Sequence, residues 1–180
     1  MHREAIDVLP RILDAARVGR HALIGHSDGG TIAAIAAGAR DDPALAGIVL
    51  IAAHFFVEDM NLSAIAAIQE SYAQGDLRRR LGRYHDDPDA AFMGWSGAWL
   101  DPAFRSLDLS RYLAAIRAPV LGLQGADDPY GTEAQLEFLS AHTRVRTETR
   151  LIDGARHAPH LEAKNPTLAA ITGFVLDLTP

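Results

Sequence analysis

Three short apolar runs, Ala22 to Ile24, Gly47 to Ala52 and Pro119 to Gln124, constrain the fold of this chain more than any other feature. Each has the length of a strand and none alternates apolar with polar residues, so each reads as a strand buried on both faces. Such strands separated by helical patterns predict a parallel sheet with helices on both sides. Arg146 to Ile152 alternates enough to be a further strand nearer the sheet edge. The helical patterns cover residues 3–17, Gly29 to Ala39, Glu133 to Ala141 and Pro166 to Leu178. In the first of them Ile6, Leu9, Ile12, Leu13 and Ala16 fall on one side, and Pro10 should kink the helix or delay its start. The 180 residues therefore read as an α/β chain with a doubly wound, mostly parallel sheet, long enough to bury a proper core.

Between the second and third runs the character changes. From about His54 to Arg117 no strand-like run occurs and helical patterns are broken by glycine and proline. A stretch that long with its own apolar positions is no ordinary loop, so residues 55–116 are predicted to form a helical cap, with residues 1–54 and 117–180 as the core. Both tryptophans, Trp95 and Trp99, lie in it at a spacing of i and i+4. They either line a substrate pocket or glue the cap together. The basic run Leu77 to Arg83 has Asp76, Asp86 and Asp87 beside it and reads as a solvated helix face.

The chemistry is concentrated after the first run, where Gly25-His26-Ser27-Asp28-Gly29 fits G-x-S-x-G between a strand and a helix. Ser27 would sit on a strained turn with its hydroxyl exposed, and the very small residues at 25 and 29 would let strand and helix approach closely. The helix N-terminus behind it would favour negative charge developing on a substrate. Two further polar groups follow later strands: the Asp127-Asp128 pair and His157. In an open parallel sheet the carboxyl ends of the strands gather on one edge, so these residues are predicted to converge. A serine hydroxyl is a poor nucleophile unless an imidazole takes its proton, and a carboxylate is needed to hold that imidazole.

In this order, serine, acid, histidine, the chain resembles the α/β-hydrolase superfamily, over its whole length from the helix before Ser27 to the last helix. GHSDGG looks like the family's nucleophile elbow, GADDPYGT like its acid turn and GARHAPHLE like its histidine turn. The resemblance implies Ser27 as nucleophile, Asp128 as acid with Asp127 as the alternative, and His157 as base. It further implies the Asp28 N–H as one oxyanion donor, no cofactor and no metal. His26, His54 and His160 become candidate pocket residues, and Glu58 or Asp59 an alternative acid position. Arg156 stands where relatives carry a small residue. The implied reaction is hydrolysis of a small ester, thioester, lactone or carbon–carbon bond through an acyl-enzyme, as in a serine esterase. The family's first strands, one of which precedes the loop giving the second oxyanion N–H, have no counterpart here. The strand before Ser27 is thus expected at a sheet edge, where it could pair with another copy. The alternative function is accordingly a weak or inactive hydrolase-fold module that self-associates through that edge.

A net charge of −6 argues against nucleic-acid or anionic-membrane partners and leaves a small-molecule substrate and a homo-oligomer as the expected partners. With no cysteine there is no disulfide, thiol nucleophile or cysteine-bound metal, which fits a reducing cytoplasm. The N-terminal MHREAIDVLPRILD carries acids and no long apolar core, unlike a signal peptide or anchor. His2, His21, His85 and His142 show no ligand spacing and are read as surface or ordinary core residues.

Overall fold

Four strands, β1 (His21–His26), β2 (Leu45–Ile51), β3 (Val120–Gly125) and β4 (Thr147–Ile152), form one sheet in the order β1-β2-β3-β4, and every pair is parallel. The computed structural model describes residues 1–72 and 74–178. In chain order the helices are α1 (Leu9–Ala15), α2 (Asp28–Ala39), α3 (Asp59–Tyr72), α4 (Leu77–Leu81), α5 (Pro88–Leu100), α6 (Ser110–Ala115), α7 (Ala134–His142), α8 (Pro159–Glu162) and α9 (Lys164–Leu176). The chain divides into a unit of residues 1–55 and 108–180, which holds the sheet, and a unit of residues 56–107. Among the described residues no helix is long and apolar enough to cross a membrane.

The sheet is covered on both faces, as parallel strands without polar alternation require. On one face Val49, Ile51, Leu121, Leu123 and Ile152 pack against Ala155 and against Ala170 and Phe174 of α9. On the other lie α2, α6 and α7, with Leu136 and Leu139 of α7 over Gly122. All of β3 is buried, whereas β4 is half-exposed along most of its length and forms one edge. The other edge is β1, whose Ile24 is in register with Val49 yet 55 % exposed.

The first helix is continuous over residues 2–15, and Pro10 alters its bonding and does not delay its start. Proline has no N–H to give the Ile6 carbonyl, and a π-helical turn spans Glu4–Val8 before α-helix resumes at Leu9. The expected apolar side is only partly used, because the wider turn rotates it away: Ala5 is buried, while Ile6 and Ile12 are 44 % and 56 % exposed.

In the unit of residues 56–107, Asp87 caps α5 by accepting from the Ala90 N–H at 2.9 Å, with Pro88 in the first turn. Tyr72 of α3 stacks on Phe92 of α5 with ring centroids 3.9 Å apart, and its hydroxyl donates to Asp89. The basic run forms α4, exposed as its charge pattern implies: Arg78 pairs with Asp89 and Arg79 with Asp76. Residues 108–116, placed with the cap on sequence grounds, fall in the sheet-bearing unit, where Leu109, Leu113 and Ile116 of the α6 region are fully buried.

The close approach of β1 and α2 needs a different pair of glycines from the expected one. A Cβ on Gly25 would run into the Gly29 carbonyl, and one on Gly30 would lie 2.8 Å from the Ala53 Cβ. At Gly29, by contrast, a Cβ would meet nothing within 4 Å. Urea unfolding should therefore show Gly25→Ala destabilised by about 1–3 kcal/mol through overpacking. Gly29→Ala should match the wild type or gain up to about 1 kcal/mol from helix propensity, and a Gly29 variant as damaged as Gly25→Ala would refute this packing.

Candidate active site

Ser27 joins the end of β1 to the start of α2 with φ 55° and ψ −125°, in a region that costs a residue with a side chain about 1–3 kcal/mol. The turn is held from both directions. The Ser27 N–H donates to the Ile51 carbonyl at 2.8 Å, which continues the β1–β2 pairing. Its carbonyl accepts from the N–H groups of Gly30 and Thr31 at 2.9 and 3.1 Å, which starts the helix. Just past the end of the neighbouring strand Ala52 also has positive φ, 49°. Backbone strain is thus gathered at the carboxyl ends of β1 and β2.

The other two expected residues reach Ser27. After β4 the chain reverses at Gly154, whose φ of 68° suits glycine. The following segment passes so close to the end of β3 that a Cβ on Gly125 would collide with the Ala155 and Arg156 carbonyls. This brings His157 Nε2 to 2.9 Å from Ser27 Oγ, and His157 Nδ1 to 2.9 and 3.1 Å from the two oxygens of Asp128. The carboxylate partner assigns the Nδ1 proton, so Nε2 is the acceptor facing the serine hydroxyl. Asp128 has a side chain with no exposure, and other donors hold it in place: Gln124 Nε2 at 2.6 Å and the Tyr130 N–H at 2.8 Å. Asp127 is exposed, and its N–H donates to the Ala155 carbonyl.

Three more histidines stand around this group. His26 Nε2 donates to the His157 carbonyl at 2.7 Å, and His54 Nε2 donates to the Tyr130 carbonyl at 3.0 Å. The His160 ring meets His26 edge-on at 4.7 Å between centroids. These side chains were expected to line a pocket, but His26 and His54 also hold the turns that carry His157 and Asp128. Burial pushes the His54 imidazole below its ordinary 6.5, against the raising effect of its bond to Tyr130. His26 is lowered mainly by burial as well. Among the described residues no group of three or more histidine, aspartate or glutamate side chains is placed to hold a metal ion.

Other expected residues lie elsewhere. Asp59 opens α3 and pairs with Arg105, and Glu58 precedes it. Trp99 is buried edge-on against Phe104 within the unit of residues 56–107. In the same unit Trp95, with Ile68, Leu77, Leu81, His85 and Phe92, lines a cavity of about 440 Å³. Arg156 keeps its side chain exposed and uses its N–H, which donates to Glu162 at 2.6 Å and closes the histidine turn.

Three contributors had been missed: Gln124, which grips Asp128 and the Gly131 carbonyl; Thr31, whose hydroxyl donates to the His54 carbonyl and accepts from the His54 N–H; and Glu162. Only Gln124 carried a signal, as the one polar side chain in an apolar run ending at an acid pair.

A parallel α/β sheet whose first described strand ends in a strained serine, with an acid and a histidine from later strand ends hydrogen-bonded to it in series, defines a hydrolase-type α/β architecture. The sequence model of the alpha/beta hydrolase family matches residues 2–170, and the chain belongs to that family. No curated protein sequence matches it. Solved structures with the same fold include a proline iminopeptidase from Mycobacterium smegmatis, with TM-score 0.70, 17 % identity and 99 % of this chain on 72 % of that one. A thermophilic esterase from Thermogutta terrifontis gives TM-score 0.70, 19 % identity and 99 % of this chain on 73 % of that one. An esterase from a Rhodococcus species gives TM-score 0.67, 21 % identity and 95 % of this chain on 70 % of that one.

The buried His54 makes stability depend on pH. Its folded pKa lies below 6.5, so below that value the unfolded chain binds the proton first. The stabilisation is complete above pH about 6.5 and is lost as pH falls towards the folded value. His54→Gln keeps an N–H for Tyr130 but cannot titrate. Its urea midpoint should fall less steeply than that of the wild type between about pH 7.5 and about pH 5.5; equal slopes would contradict a neutral, buried His54.

Proposed function

We propose that this protein is a serine hydrolase that cleaves a small carboxylic ester, or a related thioester, lactone or carbon–carbon bond, through an acyl-enzyme. The observation that carries the reading is the unbroken hydrogen-bond series Ser27 Oγ, His157 Nε2, His157 Nδ1, Asp128. In that series His157 takes the Ser27 proton as Oγ attacks the acyl carbon, and Asp128 holds the imidazolium that forms. The carbonyl electron pair moves to oxygen, where the N–H of Asp28 at the start of α2 is the nearby donor. His157 then gives its proton to the leaving group, and the acyl group stays on Ser27. Water attacks in the second half, its proton goes to His157, and the carboxylic acid leaves as Ser27 regains its proton. The two esterases of like fold favour an ester among the possible bonds.

A fluorophosphonate probe should label the wild type on Ser27, and Ser27→Ala should abolish both labelling and turnover of a p-nitrophenyl ester. Asp128→Asn should keep the fold and lower kcat by about 10³ to 10⁴. No labelling of the folded wild type would end this reading.

A second reading is favoured by β1, which pairs on one side only among the described residues and leaves Ile24 55 % exposed. In this reading the chain is a weak or inactive hydrolase-fold module that self-associates through the outer edge of β1. Light scattering behind gel filtration should then give a dimer mass that Ile24→Lys converts to a monomer. A wild type that stays monomeric at high concentration removes the reading.

A further inference from the structure

The residue before the serine has a part of its own. In β1 the positions Ala22, Ile24 and His26 are in register with Gly47, Val49 and Ile51 of β2. Val49 and Ile51 face the side of the sheet where Ile152, Ala155 and α9 pack. His26 therefore emerges on the face across which the segment after β4 returns, and Ser27, one residue on, turns away into α2. From that position His26 Nε2 reaches the backbone carbonyl of His157 at 2.7 Å, with the two imidazole centroids 5.1 Å apart.

We propose that His26 is a positioning residue for the reaction: its Nε2–H fixes the backbone of His157 to the end of β1, so that strand and base move as one body. The inference rests on the serine-hydrolase reading. His157 is then tied at two places, the ring at Nδ1 by Asp128 and the main chain by His26. With the ring tie alone, the main chain could shift and the ring rotate about the Asp128 bond, which opens the 2.9 Å approach to Ser27 Oγ. A misplacement of about 1 Å in such a group costs on the order of a hundredfold in rate. Burial holds His26 below 6.5 against the raising effect of its bond to the His157 carbonyl. Neutrality suits the task, since a second cation beside His157 would oppose the charge that His157 must accept. The other ionisable groups that act on His26 are His160 from α8 and Asp128 from the acid turn.

The test compares His26→Phe, which keeps a ring against His160 but has no donor, with His26→Gln, whose amide nitrogen can occupy the place of Nε2. His26→Asn, whose amide falls short at the place of Nδ1, replaces the phenylalanine variant if that one does not fold. Expected for the donor-less variant is a fall of about ten- to a hundredfold in kcat for an ester and in the rate of fluorophosphonate labelling, with KM little changed. Most of the loss should return in His26→Gln. The downfield proton resonance of His157 Nδ1–H should follow the same order: present in the wild type and His26→Gln, lost to exchange in His26→Phe. Labelling at the wild-type rate in His26→Phe, or a glutamine variant as slow as the phenylalanine one, overturns the proposal. If the wild type itself is not labelled, the hydrolase reading fails, and the resonance still decides the positioning: its loss and recovery across the two variants supports it, and its persistence in His26→Phe refutes it.

Discussion

The side chain of Asp128 is shut off from water, and a carboxylate so placed destabilises a fold by several kcal/mol unless donors surround it. Here they come from three directions: an amide within β3 (Gln124), the main chain of its own turn (Tyr130) and the ring of His157. Only the last is distant in sequence. Satisfying the charge therefore draws the segment after β4 onto the end of β3, where glycine at position 125 allows the two backbones to touch. A requirement of stability thereby sets the position of the imidazole that Ser27 meets.

The same requirement explains why strain is tolerated where it is. Ser27 and Ala52 both adopt positive φ at the ends of adjacent strands, at about 1–3 kcal/mol each. Neither would persist on a free loop. Ser27 is gripped by β2 through its N–H and by α2 through its carbonyl, and the hydroxyl of Thr31 bridges the N–H and carbonyl of His54 just beyond Ala52. The strained positions are thus enclosed by bonds between β1, β2 and α2, which pack on one another through the buried face of α2.

Much of this was legible in the chain, because the strands and the serine turn are local signals. Apolar runs without alternation marked β1, β2 and β3 and their parallel pairing, and the alternating segment marked β4 as an edge. The resemblance to the family's acid turn implied Asp128, which is buried against His157, ahead of Asp127, which is exposed. What was not legible depends on contacts between distant segments. His26 and His54 had the composition of pocket residues, yet their N–H groups are used on backbone carbonyls, and a carbonyl leaves no mark in a sequence. Gly29 and Gly30 look equivalent on the page, and only the packing of Ala53 against α2 tells them apart. The rotation of the first helix needed the π-turn ahead of Pro10, which changes the face without changing the pattern.

The histidines illustrate how one side chain divides its roles by hydrogen-bond partner. His157 keeps 23 % of its side chain exposed, and its Nε2 faces the Ser27 hydroxyl. His54 is buried to 3 % exposure, and His26 is half-buried; burial lowers the pKa of both, so each offers an N–H without carrying a charge. Two neutral donors can therefore stand with ring centroids 5.1 and 6.1 Å from His157, where lysine or arginine in the same places would raise the cost of the proton transfer that the proposed reaction asks of it. On the proposed reaction, a cluster of imidazoles around a serine can therefore be read as one ring placed to react and two placed to hold its setting, with the hydrogen-bond partner separating the tasks: a hydroxyl for the first, backbone carbonyls for the others.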